Sequence, residues 1–260
     1  MRPAGARETA GERWPRNGEG TTLAGLLARP DIRLGSTYSA PALPTVASGF
    51  AALDAVLPGG GWPRAALTEL LFDGPGCGEV SLLRPALRQL SLSGGWALLV
   101  DPPLQLHAPA WTKAGFDLAH LVVVRLAAAQ TARRAGSGGS HEALWAAEQA
   151  LASGAPQAVL VWAASTDARA VRRLQVAAAG SEALAFLCRP WRARHEASAA
   201  PLRLGLQVEP QGRLAVHLVK RRGPPLAMPV YLPWWSDEGE EGDAREGLVG
   251  APLADRARAA

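Results

Sequence analysis

Five short apolar runs dominate the middle of the chain, at 66–72 (ALTELLF), 96–101 (WALLVD), 121–125 (LVVVR), 157–162 (QAVLVW) and 183–188 (ALAFLC). Helix-like stretches lie between them, at 79–91, 107–115, 140–152 and 167–179. Runs this short and this apolar, without strict polar alternation, are strands buried on both faces. Strand–helix alternation then predicts an α/β fold, a mostly parallel sheet with helices on both faces. After residue 201 the pattern changes. Arg203 to Glu209 and Arg213 to Lys220 are strand-like and are joined by Pro210-Gln211-Gly212, which predicts a hairpin at the sheet edge. Ahead of the first run, Phe50, Leu53, Val56 and Leu57 share a face, so a helix is expected over 49–57, capped by Ser48 and stopped by Gly59-Gly60-Gly61.

The first strand opens into LFDGPGCGEVSLL, residues 71–83, with glycines at 74, 76 and 78 before a helical pattern. A strand, a glycine-rich turn and a helix are the parts of a phosphate-binding loop. Such a loop also needs a lysine for the outer phosphates and a Ser/Thr hydroxyl for magnesium. Aligned on Gly78, the lysine position holds Glu79 and the hydroxyl position Val80, while Asp73 replaces the first glycine. The charge at the key position is reversed. The chain's only lysines, Lys113 and Lys220, are far from the loop in sequence.

With 260 residues and 48% hydrophobic content, the chain can hold one sizeable core. No apolar run approaches the roughly 20 residues that span a bilayer, and the first residues lack an apolar signal core, so a cytoplasmic protein is expected. Cys77 and Cys188 have no metal-ligand spacing, and the five histidines show no helical pairing with carboxylates. No metal site and no serine-nucleophile elbow is expected. Composition divides the chain into a mobile basic segment, 1–45, with a short helix at 21–28, a core domain, 46–235, and an acidic disordered tail, 236–260. Seven acidic side chains against three arginines give the tail −4, which leaves +8 on the remainder of a chain whose net charge is +4. A basic body suits an anionic partner, for which the tail would compete; a merely solvated tail is the other reading.

Residues 48–83, SGFAALDAVLPGGGWPRAALTELLFDGPGCGEVSLL, resemble the opening of a RecA-type ATPase core: Ser48-Gly49, a helix with Leu53-Asp54, the glycine turn at 59–61, then strand and P-loop. The likeness in order and spacing extends to about Tyr231. Within that group, the degenerate loop and the late Lys220-Arg221-Arg222-Gly223-Pro224-Pro225 segment are most similar to the ImuA family of RecA-like accessory proteins of damage-induced translesion DNA synthesis. The resemblance implies a RecA-like P-loop-type core with a degenerate nucleotide site. It places Pro103 where the water-activating glutamate belongs and Trp162 at the magnesium-binding aspartate. Proline cannot act as a base, and an indole offers magnesium no oxygen. Lysine, hydroxyl and both carboxylates are thus missing, which implies a pseudo-ATPase with no catalytic residue and no cofactor. The implied role is a scaffold in the SOS response. Its implied partners are an ImuB-like Y-family polymerase homologue, a damage-induced C-family DNA polymerase subunit, RecA and single-stranded DNA. A SulA-like division inhibitor that binds FtsZ shares the degenerate core and stays open as an alternative.

Two stretches are candidate binding surfaces. Arg189, Trp191, Arg192 and Arg194 follow the 183–188 strand, where the resemblance places a loop that contacts single strands; arginines suit phosphates and an indole can stack on a base. Contact with a protein, or a Trp191 packed on the sheet beside solvated arginines, are the other readings. Lys220, Arg221 and Arg222 form the second stretch, and by position Lys220 and Arg222 match a basic pair that reaches a neighbouring subunit's nucleotide in RecA. Arg169, Arg172 and Arg173 read as a solvated helix face. Pro233-Trp234-Trp235 reads either as an anchor for the last strand or as a docking motif.

Overall fold

The computed structural model describes residues 43–74, 76–126, 140–210 and 212–233. The chain enters through an antiparallel ribbon of β1 (Thr45–Val46) and β2 (Trp62–Pro63), with a single helical turn, α1 (Ala51–Asp54), between them. Alternation follows: β3 (Ala66–Phe72), α2 (Glu79–Leu92), β4 (Ala97–Val100), α3 (Ala108–Lys113), β5 (Leu121–Val124), α4 (Ser140–Ser153), β6 (Ala158–Trp162), α5 (Ala168–Ala179) and β7 (Leu184–Pro190). A 3₁₀ turn, Trp191–His195, leads to β8 (Leu202–Val208), β9 (Arg213–Lys220) and β10 (Val230–Pro233).

These strands make one eight-stranded mixed sheet in the order β10-β9-β8-β3-β7-β6-β4-β5. The six strands from β8 to β5 run parallel, while β9 and β10 continue the edge antiparallel. Strand β3 is central, pairs along its whole length with β7, and buries all seven residues. Both faces carry a core. Leu53, α2 and Trp111 of α3 pack with Leu70, Leu99, Leu160 and Phe186 on one side. Helices α4 and α5 pack with Leu67, Val159, Val161 and Leu187 on the other. The fold is therefore α/β, with a mostly parallel sheet flanked by helices. Among the described residues no helix is long and apolar enough to cross a membrane.

The helix expected over 49–57 is cut to one turn. Gly49 takes a left-handed φ of 87°, and a Cβ there would stand 2.3 Å from Pro85 Cβ in α2, so only glycine lets this segment close on α2. Ser48 does not cap a long helix. Its Oγ accepts from Phe50 N at 3.1 Å, and the Asp54 carboxylate accepts from Ser48 N at 2.9 Å, a local clasp around Leu53, which is wholly buried. The core starts earlier than 46, because Thr45 already pairs in β1 and its Oγ1 donates to Gly59 O. The short helix at 21–28, the 236–260 tail, Trp234 and Trp235 lie outside the described residues.

Candidate functional site

The carboxyl ends of the parallel strands converge, the place where open α/β sheets carry their ligands. Strand β3 ends at Phe72, and the chain reaches α2 through Gly74, Gly76 and Gly78, all with φ between 77° and 85°. In that left-handed region only glycine is unstrained, and successive amides turn to one side. Gly78 is the N-cap of α2 and supplies no capping side chain. Glu79, the first helical residue, is only 4% exposed. Burial raises its pKa above the usual carboxylate range, while backbone hydrogen bonds from Glu79 itself, Gly76 and Cys77 pull it partly back. The Trp162 indole acts on the same carboxyl in the same direction, yet neither Trp162 Nε1 nor Glu79 Oε2 completes a hydrogen bond. Glu79 is thus a buried carboxyl at the start of α2, near enough to Cys188 for its charge to act on that thiol. Val80 is half-buried against the core and offers no hydroxyl.

The neighbouring turns close on this loop. Beyond β4, Asp101 adopts a left-handed φ of 53° and its N–H donates to Val124 O at 2.8 Å. Such a conformation is uncommon outside glycine but tolerable for aspartate. Directly after Pro102-Pro103 the loop is held by Arg125, whose Nη2 donates to Leu104 O at 3.0 Å, and the Leu104 side chain comes up beside Gly76. Cys77 Sγ donates to Asp73 O at 2.7 Å, and burial with the charges of Glu79 and Asp73 raises its pKa. Cys188, in register with Trp162, is pushed well up by burial and Glu79. Both thiols are poor nucleophiles near neutral pH. Among the described residues no cluster of His, Cys, Asp or Glu could hold a metal ion.

Arg189 is not on an exposed loop. It belongs to β7, is 4% exposed, and lies in a buried network centred on Glu69 of β3. Arg189 Nη1 reaches Glu69 Oε1 at 3.4 Å, and its Nη2 donates to Glu196 Oε2 at 2.6 Å and Thr166 O at 3.0 Å. Arg203 of β8 donates from Nε to Glu69 Oε2 at 2.5 Å, and from its terminal nitrogens to Ala193 O and Glu196 O. Ser198 Oγ completes the Glu69 shell at 2.8 Å. The network staples residues 191–198 to the centre of the sheet. Both terminal nitrogens of Arg189 have partners, and its Nε has none but is buried, so Arg189 is unavailable to a phosphate.

Trp191 covers Gly205. A Cβ on Gly205 would stand 1.9 Å from Trp191 Cζ3, so the absence of that atom makes room for the indole on β8. The ring meets His217 edge-on, with centroids 5.8 Å apart, and Arg194 lies over it at 4.7 Å. A base could stack on Trp191 only by displacing Arg194. Trp191, His217, Tyr231, Gln207, Asp73 and Cys77 are among the residues lining a cleft of about 580 Å³ between the glycine loop and the β8–β9 hairpin. His217 Nε2 is buried there without a partner, and burial lowers the pKa of the ring.

The second basic stretch meets the first. Lys220 Nζ donates to Ser198 O at 2.9 Å, and Arg203 pairs with Lys220 across β8 and β9. Arg221 turns inward instead: Nη1 donates to Val56 O and Nε to Pro224 O, which ties the end of β9 to the α1 segment. Arg192 and Arg222 are exposed, and Arg194 is half-exposed. Of the seven candidate residues, Arg192, Arg194, Lys220 and Arg222 remain accessible basic side chains. Arg169, Arg172 and Arg173 lie exposed along α5, where Arg173 pairs with Glu148 at 3.2 Å. Sequence reasoning passed over Glu69, a lone acid in an apolar strand, although that break in pattern was the available signal for a buried ion network. Compared with models of known protein families and with curated proteins, the chain matches none.

Proposed function

We propose that the chain is a non-catalytic accessory protein built on a RecA-like core, acting as a scaffold in damage-induced, error-prone translesion DNA synthesis. The observation that carries the non-catalytic part is Glu79. A carboxyl stands at the lysine position, buried at the start of α2 directly after the glycine loop, where its charge would repel a triphosphate. Trp162 and Pro103 at the two carboxylate positions support the same reading, since neither can order magnesium or activate water. The RecA-like part rests on the glycine loop after the central strand and on the order of elements. The translesion part rests on the sequence resemblance to the ImuA family.

On this reading the protein works through its surfaces. The exposed basic side chains Arg192, Arg194, Lys220 and Arg222 are suited to single-stranded DNA or to an acidic face of a polymerase subunit. Affinity purification of the full chain from cells exposed to DNA damage tests the role. The proposal expects a Y-family polymerase homologue and a C-family polymerase subunit to be retained. Retention of FtsZ without either polymerase would replace it with a division-inhibitor function.

A further inference from the structure

We infer that the free edge of β5 is a self-association surface, on which a second copy of this chain pairs its own β5 antiparallel about a twofold axis at Val123. The inference goes beyond the accessory reading and does not depend on it. Strand β5 ends the sheet, and β4 is its only strand neighbour among the described residues. Asp101 N donates to Val124 O at 2.8 Å, so Val124, and by alternation Val122, turn their backbone groups toward β4. Leu121 and Val123 therefore turn theirs outward, where a second strand can meet them. Nothing in the strand blunts that edge: LVVV has no charge, no proline and no shift of register. The opposite edge is guarded, since β10 follows Pro229 and ends on Pro233.

The chemistry of the edge selects a second copy. Val122 and Val123, on opposite faces of the sheet, are 39% and 37% exposed, whereas the equally apolar β6 is wholly buried. An uncharged strand meets its own image without repulsion, and a twofold axis makes the two contacts identical. Centring the axis on Val123 sets Val123 against its own copy and Leu121 against Arg125 of the second copy. Centring it on Val122 would set Arg125 against the 3₁₀ turn at 118–120, which cannot continue a ladder. Charge is complementary at the ends. Beside Leu121, His120 Nδ1 lies 2.8 Å from the exposed Asp117 carboxylate, and the Trp96 ring, in a residue 45% exposed, stands 5.4 Å from the His120 ring. A carboxylate and an indole side by side suit the arriving Arg125 guanidinium. A strand pair this short buries little surface, so the dimer is weak and transient.

The test is sedimentation velocity of the full chain over a wide range of protein concentration. The wild type should pass from monomer to dimer and stop there. Val123→Lys and Val123→Glu each set like charges directly opposite one another at the axis, and each should weaken dimerisation by about fivefold or more. Mixing the two variants should restore the dimer, because lysine then meets glutamate. Circular dichroism checks their folding, which is expected to survive because Val123 is exposed and its backbone groups face away from β4.

Should a charged variant fail to fold, Val123→Cys decides. Cα atoms of a hydrogen-bonded antiparallel pair stand about 5.5 Å apart, within reach of a disulfide. Air oxidation should therefore cross-link Val123→Cys into a dimer and leave the wild type, whose cysteines are Cys77 and the buried Cys188, uncrosslinked. A wild type that stays monomeric at every concentration, a dimer that Val123→Lys leaves intact, or open-ended growth by head-to-tail addition overturns the inference, and none of these bears on the accessory reading.

Discussion

Replacing Glu69 by glutamine alters one atom and should cost a large part of the protein's stability. Glu69 is 0% exposed and its two oxygens accept from Arg189, Ser198 and Arg203. A glutamine amide keeps the shape but turns one acceptor into a donor, so either way at least one N–H or O–H faces an N–H. The two arginines differ in what remains to them. Arg189 keeps Glu196 at 2.6 Å, while Arg203 retains only carbonyl oxygens and becomes a buried cation without a counter-charge. Breaking a buried ion pair from one side costs about 3–5 kcal/mol, roughly a fifth or more of the ~5–15 kcal/mol that holds a domain folded. With a urea m-value near ~2 kcal/mol/M, the midpoint should fall by ~1.5–2.5 M. Urea denaturation followed by circular dichroism at neutral pH reads this directly. In Glu69→Leu/Arg203→Met neither charge is left alone, so it should cost less than the sum of the two single changes. A loss below ~1 kcal/mol for Glu69→Gln, the range of exposed pairs, would refute the argument that the network is dry and mutually dependent.

Other outcomes follow from the same geometry. Gly205→Ala drives a Cβ into the Trp191 ring and should cost ~1–3 kcal/mol, but little in a Trp191→Ala background; equal costs in both backgrounds, by thermal melts, would place the ring elsewhere. Glu79 ionises less readily folded than unfolded, so the unfolded chain loses its proton first and stability falls as pH rises from the ordinary glutamate range through the raised folded value. Glu79→Gln lacks that slope and should gain on wild type from mildly acidic to neutral pH; a difference independent of pH would contradict the assigned burial. If the exposed basic side chains bind single strands, changing Arg192, Arg194, Lys220 and Arg222 to glutamine should flatten the salt dependence by ~0.7 log unit per lost phosphate contact. Arg221→Gln should instead lower the melting temperature, because Arg221 bonds Val56 O.

Much of the architecture was legible because parallel strands declare themselves. LVVV at 121–124 and AVLVW at 158–162 are apolar on both faces, and the α5 start is marked by Asp167, whose carboxylate accepts from Ala170 N at 2.7 Å. Strand β10, four residues that follow Pro229 and end on Pro233, carries too little pattern to be read and exists because Leu214 and Val216 of β9 give it a partner. Helix 49–57 was misjudged because its apolar spacing is real but serves a clasp, not a helix. At the candidate site, the loss of the lysine and hydroxyl was visible in the letters. The burial of Glu79 was not, since a charged residue directly after a glycine loop gives no sign in the letters that it will be covered. Arg189 was misread for the same reason: its partner Glu69 is 120 residues away, and only the pairing of β3 with β7 brings them together.

Titration calorimetry of the full chain with Mg-ATP, run beside a phosphate-release assay, tests the central claim most directly. With the Glu79 carboxyl buried directly after the glycine loop and no lysine, hydroxyl or magnesium carboxylate at the positions the resemblance assigns, the wild type should show no saturable heat at millimolar nucleotide and no released phosphate. Saturable binding that disappears in Gly78→Val, where φ of 85° excludes a β-branched residue, would mean that the loop still holds phosphates and would contradict the account.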